Sequence, residues 1–158
     1  MSNNIVHATA VAIDGRGILL LGPSGSGKSE MALRLIDRGA ILVSDDAVAI
    51  DTVGDMPVVT SVQNIKGKLE IRGIGICEMQ SLDSAPLRMI VELVDAVDRM
   101  PVSTLTQTIC GYMIPSIKLV PFEISAAIKL ECALRSIIDA GLWPVAEQSN
   151  ASREGHRI

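Results

Sequence analysis

The chain has 158 residues and a formal net charge of −4, and 48% of its residues are hydrophobic but only 2% aromatic. That length fits one domain with a sizeable core and leaves too little chain for a second enzyme domain beside it. The acidic balance (pI near 5.1) argues against a nucleic-acid partner, which would call for a basic face, and the scarcity of aromatics removes base stacking, so the core must be aliphatic.

In chain order, residues 8–13 and 17–21 read as strands joined by the turn Asp14-Gly15-Arg16-Gly17. Residues 29–38 have helical apolar spacing with Gly39 as a stop, and 41–44 read as a short buried strand that should lie beside the strand over 17–21. Asp55-Met56-Pro57 and Lys66-Gly67-Lys68 punctuate the middle, between strand-like pieces at 58–62 and 69–72. Residues 88–94 read as a longer buried strand. The longest uncharged run, 101–117, carries Ser103, Thr104, Thr106, Gln107, Thr108 and Pro115 and is too polar to span a bilayer, so no membrane is expected. Apolar residues recur at helical spacing over 124–140, with Gly141 as a stop and Pro144 beyond. This divides the chain into a core domain over 1–145 and a polar tail over 146–158 that is expected to fray. Cys77, Cys110 and Cys132 form no C-x-x-C pair, and with no signal peptide they read as reduced, buried thiols of a cytoplasmic protein.

Chemistry enters at Gly22-Pro23-Ser24-Gly25-Ser26-Gly27-Lys28-Ser29, a complete G-x-x-x-x-G-K-[ST] loop between a strand and a helix. In that context the glycines let backbone N–H groups converge on phosphate oxygens at a helix N-terminus. Lys28 would reach the β/γ-phosphates of ATP and the Ser29 hydroxyl would hold Mg²⁺. Asp45 and Asp46 follow at the end of the next strand, where a carboxylate can hold Mg²⁺ or accept a proton from an attacking hydroxyl. Adjacent side chains on an extended segment face opposite ways, so the two should divide these tasks; the plain alternative is an Asx turn. His7 lies fifteen residues before Gly22, where the hairpin returns it towards the loop, and beside an aspartate it could tune a carboxylate. In Leu69-Glu70-Ile71-Arg72-Gly73-Ile74-Gly75-Ile76 the alternation puts Glu70 and Arg72 on one face; the plain alternative is a salt-bridged edge strand.

In order and spacing, His7, the GPSGSGKSE stretch, Arg38-Gly39, Asp45-Asp46-Ala47-Val48 and the EIRGIGI run from Glu70 to Ile76 resemble the catalytic domain of HPr kinase/phosphorylase. Pro121-Phe122-Glu123-Ile124-Ser125-Ala126 is similar to the PFE-x-SA segment of its short branch, familiar from alphaproteobacteria, which lacks the separate N-terminal domain. The resemblance implies an α/β P-loop fold of the phosphoenolpyruvate carboxykinase type, a mixed sheet with flanking helices. It assigns Mg²⁺ to Ser29 and Glu70, the proton acceptor to the Asp45-Asp46 pair supported by His7, and a part in transfer to Arg72. It further implies a cytoplasmic, ATP-dependent serine kinase acting on an HPr-like phosphocarrier of the phosphotransferase system, assembled as a homo-oligomer, usually a hexamer.

Longer members carry V-P-V-x-x-G-R-N ahead of the last long helix, and here Val120 to Ala127 supplies no arginine there, which puts the reverse reaction, phosphorolysis of phosphoserine, in question. Lys28 would then serve the nucleotide, leaving Arg72 or Lys118 for the other side. A small-metabolite kinase is disfavoured by the lack of an arginine-rich lid, Arg99 being the only arginine between Arg88 and Arg135. A module that senses ATP without transferring phosphate is the remaining alternative.

Overall fold

The computed structural model describes residues 4–97 and 105–147. Twelve strands and two α-helices follow in the order β1 (Asn4–Val6), β2 (Thr9–Ile13), β3 (Arg16–Leu21), α1 (Lys28–Asp37), β4 (Ile41–Ser44), β5 (Val48–Val53), β6 (Met56–Ser61), β7 (Lys68–Ile71), β8 (Gly75–Glu78), β9 (Ser84–Leu93), β10 (Leu105–Ile109), β11 (Tyr112–Leu119), α2 (Ala126–Asp139) and β12 (Val145–Ala146). A single 3₁₀ turn, Gln63–Ile65, precedes β7.

Ten of the strands make one curled sheet, ordered β1-β5-β6-β9-β3-β2-β4, with β10, β11 and β12 branching from β9. β3, β9 and β11 run parallel at its centre. Buried on both faces, β3 and the middle of β9 read as near-continuous aliphatic runs. Antiparallel pairs surround them, so the sheet is mixed as expected.

Both helices lie on the same face. Met31, Ala32 and Leu35 of α1 and Leu130, Leu134 and Ile137 of α2 share one core with Ile18, Leu20, Met89 and Val91. The opposite face, with Leu19, Leu87 and Ile90, is closed by the sheet itself, which folds Val48, Ile50 and Val59 back over it. Each helix ends in a Schellman motif: Ala40 N–H donates to Leu35 O (2.9 Å) and Gly39 N–H to Ile36 O (3.0 Å), and Leu142 N–H and Gly141 N–H do the same on α2. The guanidinium of Arg38 then joins α1 to α2 through Glu131, at 2.8 Å in the closest contact.

Three expectations change, and two segments gain structure that the sequence did not assign. The strand over 41–44 exists, but it pairs with β2, not with β3, because the tight β2–β3 hairpin occupies one edge of β3 and β9 takes the other. The strand read over 69–72 continues into a reversal: Gly73 sits at φ 84° and the chain turns back there, so β7 and β8 form a separate hairpin. Pro57 lies inside β6, opposite Thr52 and just before β6 begins to pair with β9, where its missing N–H leaves no ladder bond broken. The uncharged run beginning at 101 contains β10 and β11, whose mixed polar and apolar residues reflect half-exposed positions in a hairpin. The cysteines are free but not buried: Cys110 and Cys132 are exposed and Cys77 is half-buried, because they occupy a turn, the outer side of α2 and β8.

Elsewhere the boundaries shift by a residue or two, apart from β9, which starts at Ser84, four residues earlier than read. Residue 99, residues 101–104 and most of the tail, 148–158, lie outside the described residues, and so do the expectations placed on them. Val145 and Ala146 pair with Met113 and Tyr112.

Candidate functional site

β3 delivers the chain into the loop and α1 begins at its end, with Gly27 as N-cap at φ 99°, a left-handed conformation that favours glycine. Gly22 is fixed by space: a Cβ there would stand 2.4 Å from Ser26 Oγ. The cradle has the features of a phosphate site. Its backbone faces a helix N-terminus, and Ser26 Oγ is buried with no hydrogen-bond partner, a donor left for a ligand oxygen. Lys28, almost fully buried, donates from Nζ to Gly22 O (2.7 Å) and Pro23 O (3.0 Å), which uses two of its three protons. Burial pulls its pKa below the usual lysine value, against the opposing pull of the Asp46 and Asp45 carboxylates.

Asp45 is the hub of the site. Its carboxylate is buried and accepts from Thr9 Oγ1 on β2 (2.8 Å), from Ser29 Oγ on α1 (2.8 Å) and from the Glu70 backbone N–H on β7 (3.2 Å). Asp46 does something different. Its φ of 69° and the bond from Ala47 N–H to Asp45 O (2.8 Å) make a γ-turn, a conformation rare for a residue with a side chain and typical of functional positions. Ser44 Oγ braces the turn by donating to Ala47 O (2.6 Å). The turn projects the Asp46 side chain, 79% exposed, into the cleft, where Oδ1 lies 3.0 Å from His7 Nε2. The two aspartates therefore face different surroundings, through a left-handed turn and not through strand alternation.

The cleft, about 820 Å³, is lined by His7, Lys28, Ser29, Asp46, Glu70 and Arg72 among others. Asp45 stands behind it. Arg72 comes from the β7–β8 tip, whereas Lys118 does not line the cleft. Glu70 and Arg72 form no salt bridge among the described residues. Three or more carboxylate, histidine or cysteine groups suited to a metal do not gather anywhere among the described residues. The donor set still fits Mg²⁺, which keeps several waters and needs only one or two protein oxygens beside substrate phosphates; Ser29 Oγ and the Glu70 carboxylate supply such oxygens.

Three contributors were given no role in the site by the sequence. Thr9 is fully buried, and a hydroxyl inside an aliphatic strand was the available signal. Arg34 reaches from α1 to the carbonyls of Pro121 and Glu123, and Phe122 between them lines the cleft; nothing local in the sequence marks that contact.

The family model of the HPr Serine kinase C-terminal domain matches residues 1–140. The chain belongs to this family. It is 34% identical over 147 residues to the HPr kinase/phosphorylase of Bordetella avium, covering 84% of this chain and 48% of that protein. It is 34% identical over 126 residues to that of Chlorobium phaeobacteroides, covering 72% and 37%. With the Caldicellulosiruptor bescii enzyme the identity is 49% over 77 residues, 48% of this chain and 25% of that protein. The chain thus spans less than half the length of these curated relatives. Among solved structures, the Hpr(Ser) kinase/phosphatase from Coxiella burnetii matches with a TM-score of 0.76 at 25% identity, over 87% of this chain and 98% of that one. The P-loop-type α/β fold follows from that likeness. None of the helices among the described residues is long and apolar enough to cross a membrane.

The unequal burial of the aspartates has a measurable consequence. Asp45→Asn turns one acceptor into a donor facing the Glu70 N–H or two hydroxyls, and should cost about 1–3 kcal/mol of stability. Asp46→Asn, at an exposed carboxylate, should stay within about 0.5 kcal/mol of the parent. Urea denaturation of both variants measures the difference.

Proposed function

We propose that this chain is an ATP- and Mg²⁺-dependent protein serine kinase whose substrate is an HPr-like phosphocarrier, a regulatory enzyme of the cytoplasm. The observation that carries the reading is the convergence of Lys28, Ser29, His7–Asp46, Glu70 and Arg72 on one cleft, in a member of the HPr serine kinase family. The names of the relatives supply the substrate.

In this reading the loop from Gly22 to Ser29 binds the triphosphate, and Lys28 neutralises charge on its outer phosphates. Ser29 Oγ and Glu70 would hold Mg²⁺, which would supply further neutralisation of the phosphate oxygens. Asp46 is the proton acceptor for the serine hydroxyl, because its carboxylate is open to the cleft and meets a single partner, His7. His7 fixes the orientation of that carboxylate. Asp45, with both oxygens engaged, keeps Ser29 and the β7 backbone in place. Phosphoryl transfer asks the protein mainly to position groups and offset charge, and these residues suffice for it. The exposed acceptor carboxylate favours transfer over ATP sensing alone.

Three outcomes are expected from purified protein, radiolabelled ATP and HPr-like acceptors. Lys28→Ala should abolish transfer and weaken ATP binding in calorimetry while the circular dichroism spectrum is kept; unchanged ATP affinity would remove the loop from the mechanism. Asp46→Asn should lower the transfer rate by roughly a hundredfold or more with ATP affinity retained, the scale of a lost general base. A normal rate would reduce the γ-turn to a structural feature.

The third outcome concerns the reverse reaction. Ser125 caps α2 and Ala126 is buried beneath it, so that segment brings no cation, and among the described residues Lys28 and Arg72 are the only lysine and arginine lining the cleft. Release of pyrophosphate from phosphoserine-HPr and millimolar phosphate should therefore be much slower than the kinase reaction at equal enzyme. Comparable rates would show that another residue holds the incoming phosphate.

A further inference from the structure

A second cleft of about 450 Å³ opens on the other side of the phosphate loop, a volume within the usual range of small-molecule sites. Its walls are Glu92, Leu93 and Val94 from the end of β9, Asp95 just beyond, and Pro121 and Phe122. Ser24, Gly25 and Phe122 line both clefts, so the two are halves of one channel along the loop.

The halves differ in charge. The first holds Lys28 and Arg72. Among the described residues the second has no cation, an apolar wall and two carboxylates, which repel a phosphate but accept from hydroxyls and amines. Gln107 Nε2 already donates to Glu92 Oε1 at 3.2 Å, which holds that carboxylate in place.

Phe122 stands at the junction. It is the only phenylalanine of the chain, and 70% of it is exposed, so hydrophobic burial does not account for its position. Its backbone is nevertheless held. The Arg34 guanidinium donates to the carbonyls on both sides of it, those of Pro121 and Glu123, and Lys129 Nζ pairs with the Glu123 carboxylate at 2.8 Å. The ring lies close to the loop: a Cβ on Gly27 would stand 3.6 Å from Phe122 Cε1.

We propose that this second cleft is the nucleoside half of the nucleotide site, with Phe122 stacking the purine base, Glu92 and Asp95 accepting from ribose hydroxyls or the exocyclic amine, and Arg34 acting as a positioning residue. The inference rests on the nucleotide-binding reading above. It makes Phe122 the residue by which the enzyme distinguishes ATP from bare triphosphate.

Calorimetry with Mg²⁺–ATP and with Mg²⁺–tripolyphosphate, which has no nucleoside, tests it on the intact chain. Phe122→Ala should weaken ATP binding by roughly tenfold or more, the scale of one base–aromatic stack. It should leave the tripolyphosphate affinity and, because the ring is exposed, the melting temperature unchanged, and Phe122→Tyr should restore ATP affinity. Arg34→Met should weaken ATP selectively as well. If Phe122→Ala leaves ATP affinity intact, or weakens both ligands equally, the assignment is overturned, the second result making Phe122 a support for the loop. A tripolyphosphate affinity that depends on Lys28 would preserve the phosphate site in either case. A parent protein that binds neither ligand would overturn both readings together.

Discussion

The site depends on one buried carboxylate with three donors. Asp45 draws together a strand hydroxyl, the hydroxyl that opens α1 and a backbone amide of the β7–β8 hairpin, three elements otherwise joined only through the core. A hydrogen bond to an ionised group contributes about 1.5–3 kcal/mol, and a charge buried without such partners would cost far more. The arrangement therefore holds when every donor is present. It holds the Ser29 hydroxyl and the Glu70 backbone at one cleft.

The curl of the sheet determines where that carboxylate can be. β9 is ten residues long and has three different neighbours: β6 beside its start, β11 beside its end and β3 along most of its length. One strand thereby links the phosphate-loop layer to the folded-back layer that closes the opposite face. Where β9 meets β3 the register slips between Gly17 and Ile18, leaving Arg88 as the extra residue. That side chain is buried, donates to Leu142 O at the end of α2 (3.2 Å) and lies 3.5 Å from the Trp143 ring centroid. A cation against a helix C-terminus and an aromatic face is favourably placed on both counts, and it fastens α2 over the core.

The contrast in burial between Asp45 and Asp46 comes from one backbone torsion. A second extended residue would have sent Asp46 away from the hub, but not into the cleft beside His7. The left-handed γ-turn does both, with Ser44 as its brace. Backbone strain of this kind persists where the surroundings over-determine it, and here the strand before and the strand after are both buried in the sheet.

The sequence by itself determined the local chemistry: the β2–β3 hairpin, the loop with its glycines, the two helices with their glycine stops, and the candidates His7, Lys28, Ser29, Asp45, Asp46, Glu70 and Arg72. Each is written in short-range signals, apolar periodicity, turn residues and fixed motif spacing, and the likeness to a family rests on the same short stretches. Tertiary structure decided what depends on which strand lies beside which. β4 was placed one strand too near because pairing partners leave no local mark, and the strand read over 69–72 gave no sign of its partner, because alternation cannot reveal a reversal at Gly73. Thr9, Arg34 and Phe122 acquired their positions from residues 36, 87 and 89 places away or from two clefts meeting at one ring, distances over which a sequence carries no period. That the two aspartate side chains point to different surroundings was anticipated. Its cause, a φ of 69° at Asp46, exists only in the folded chain, where Ser44, Ala47 and the flanking strands hold the turn.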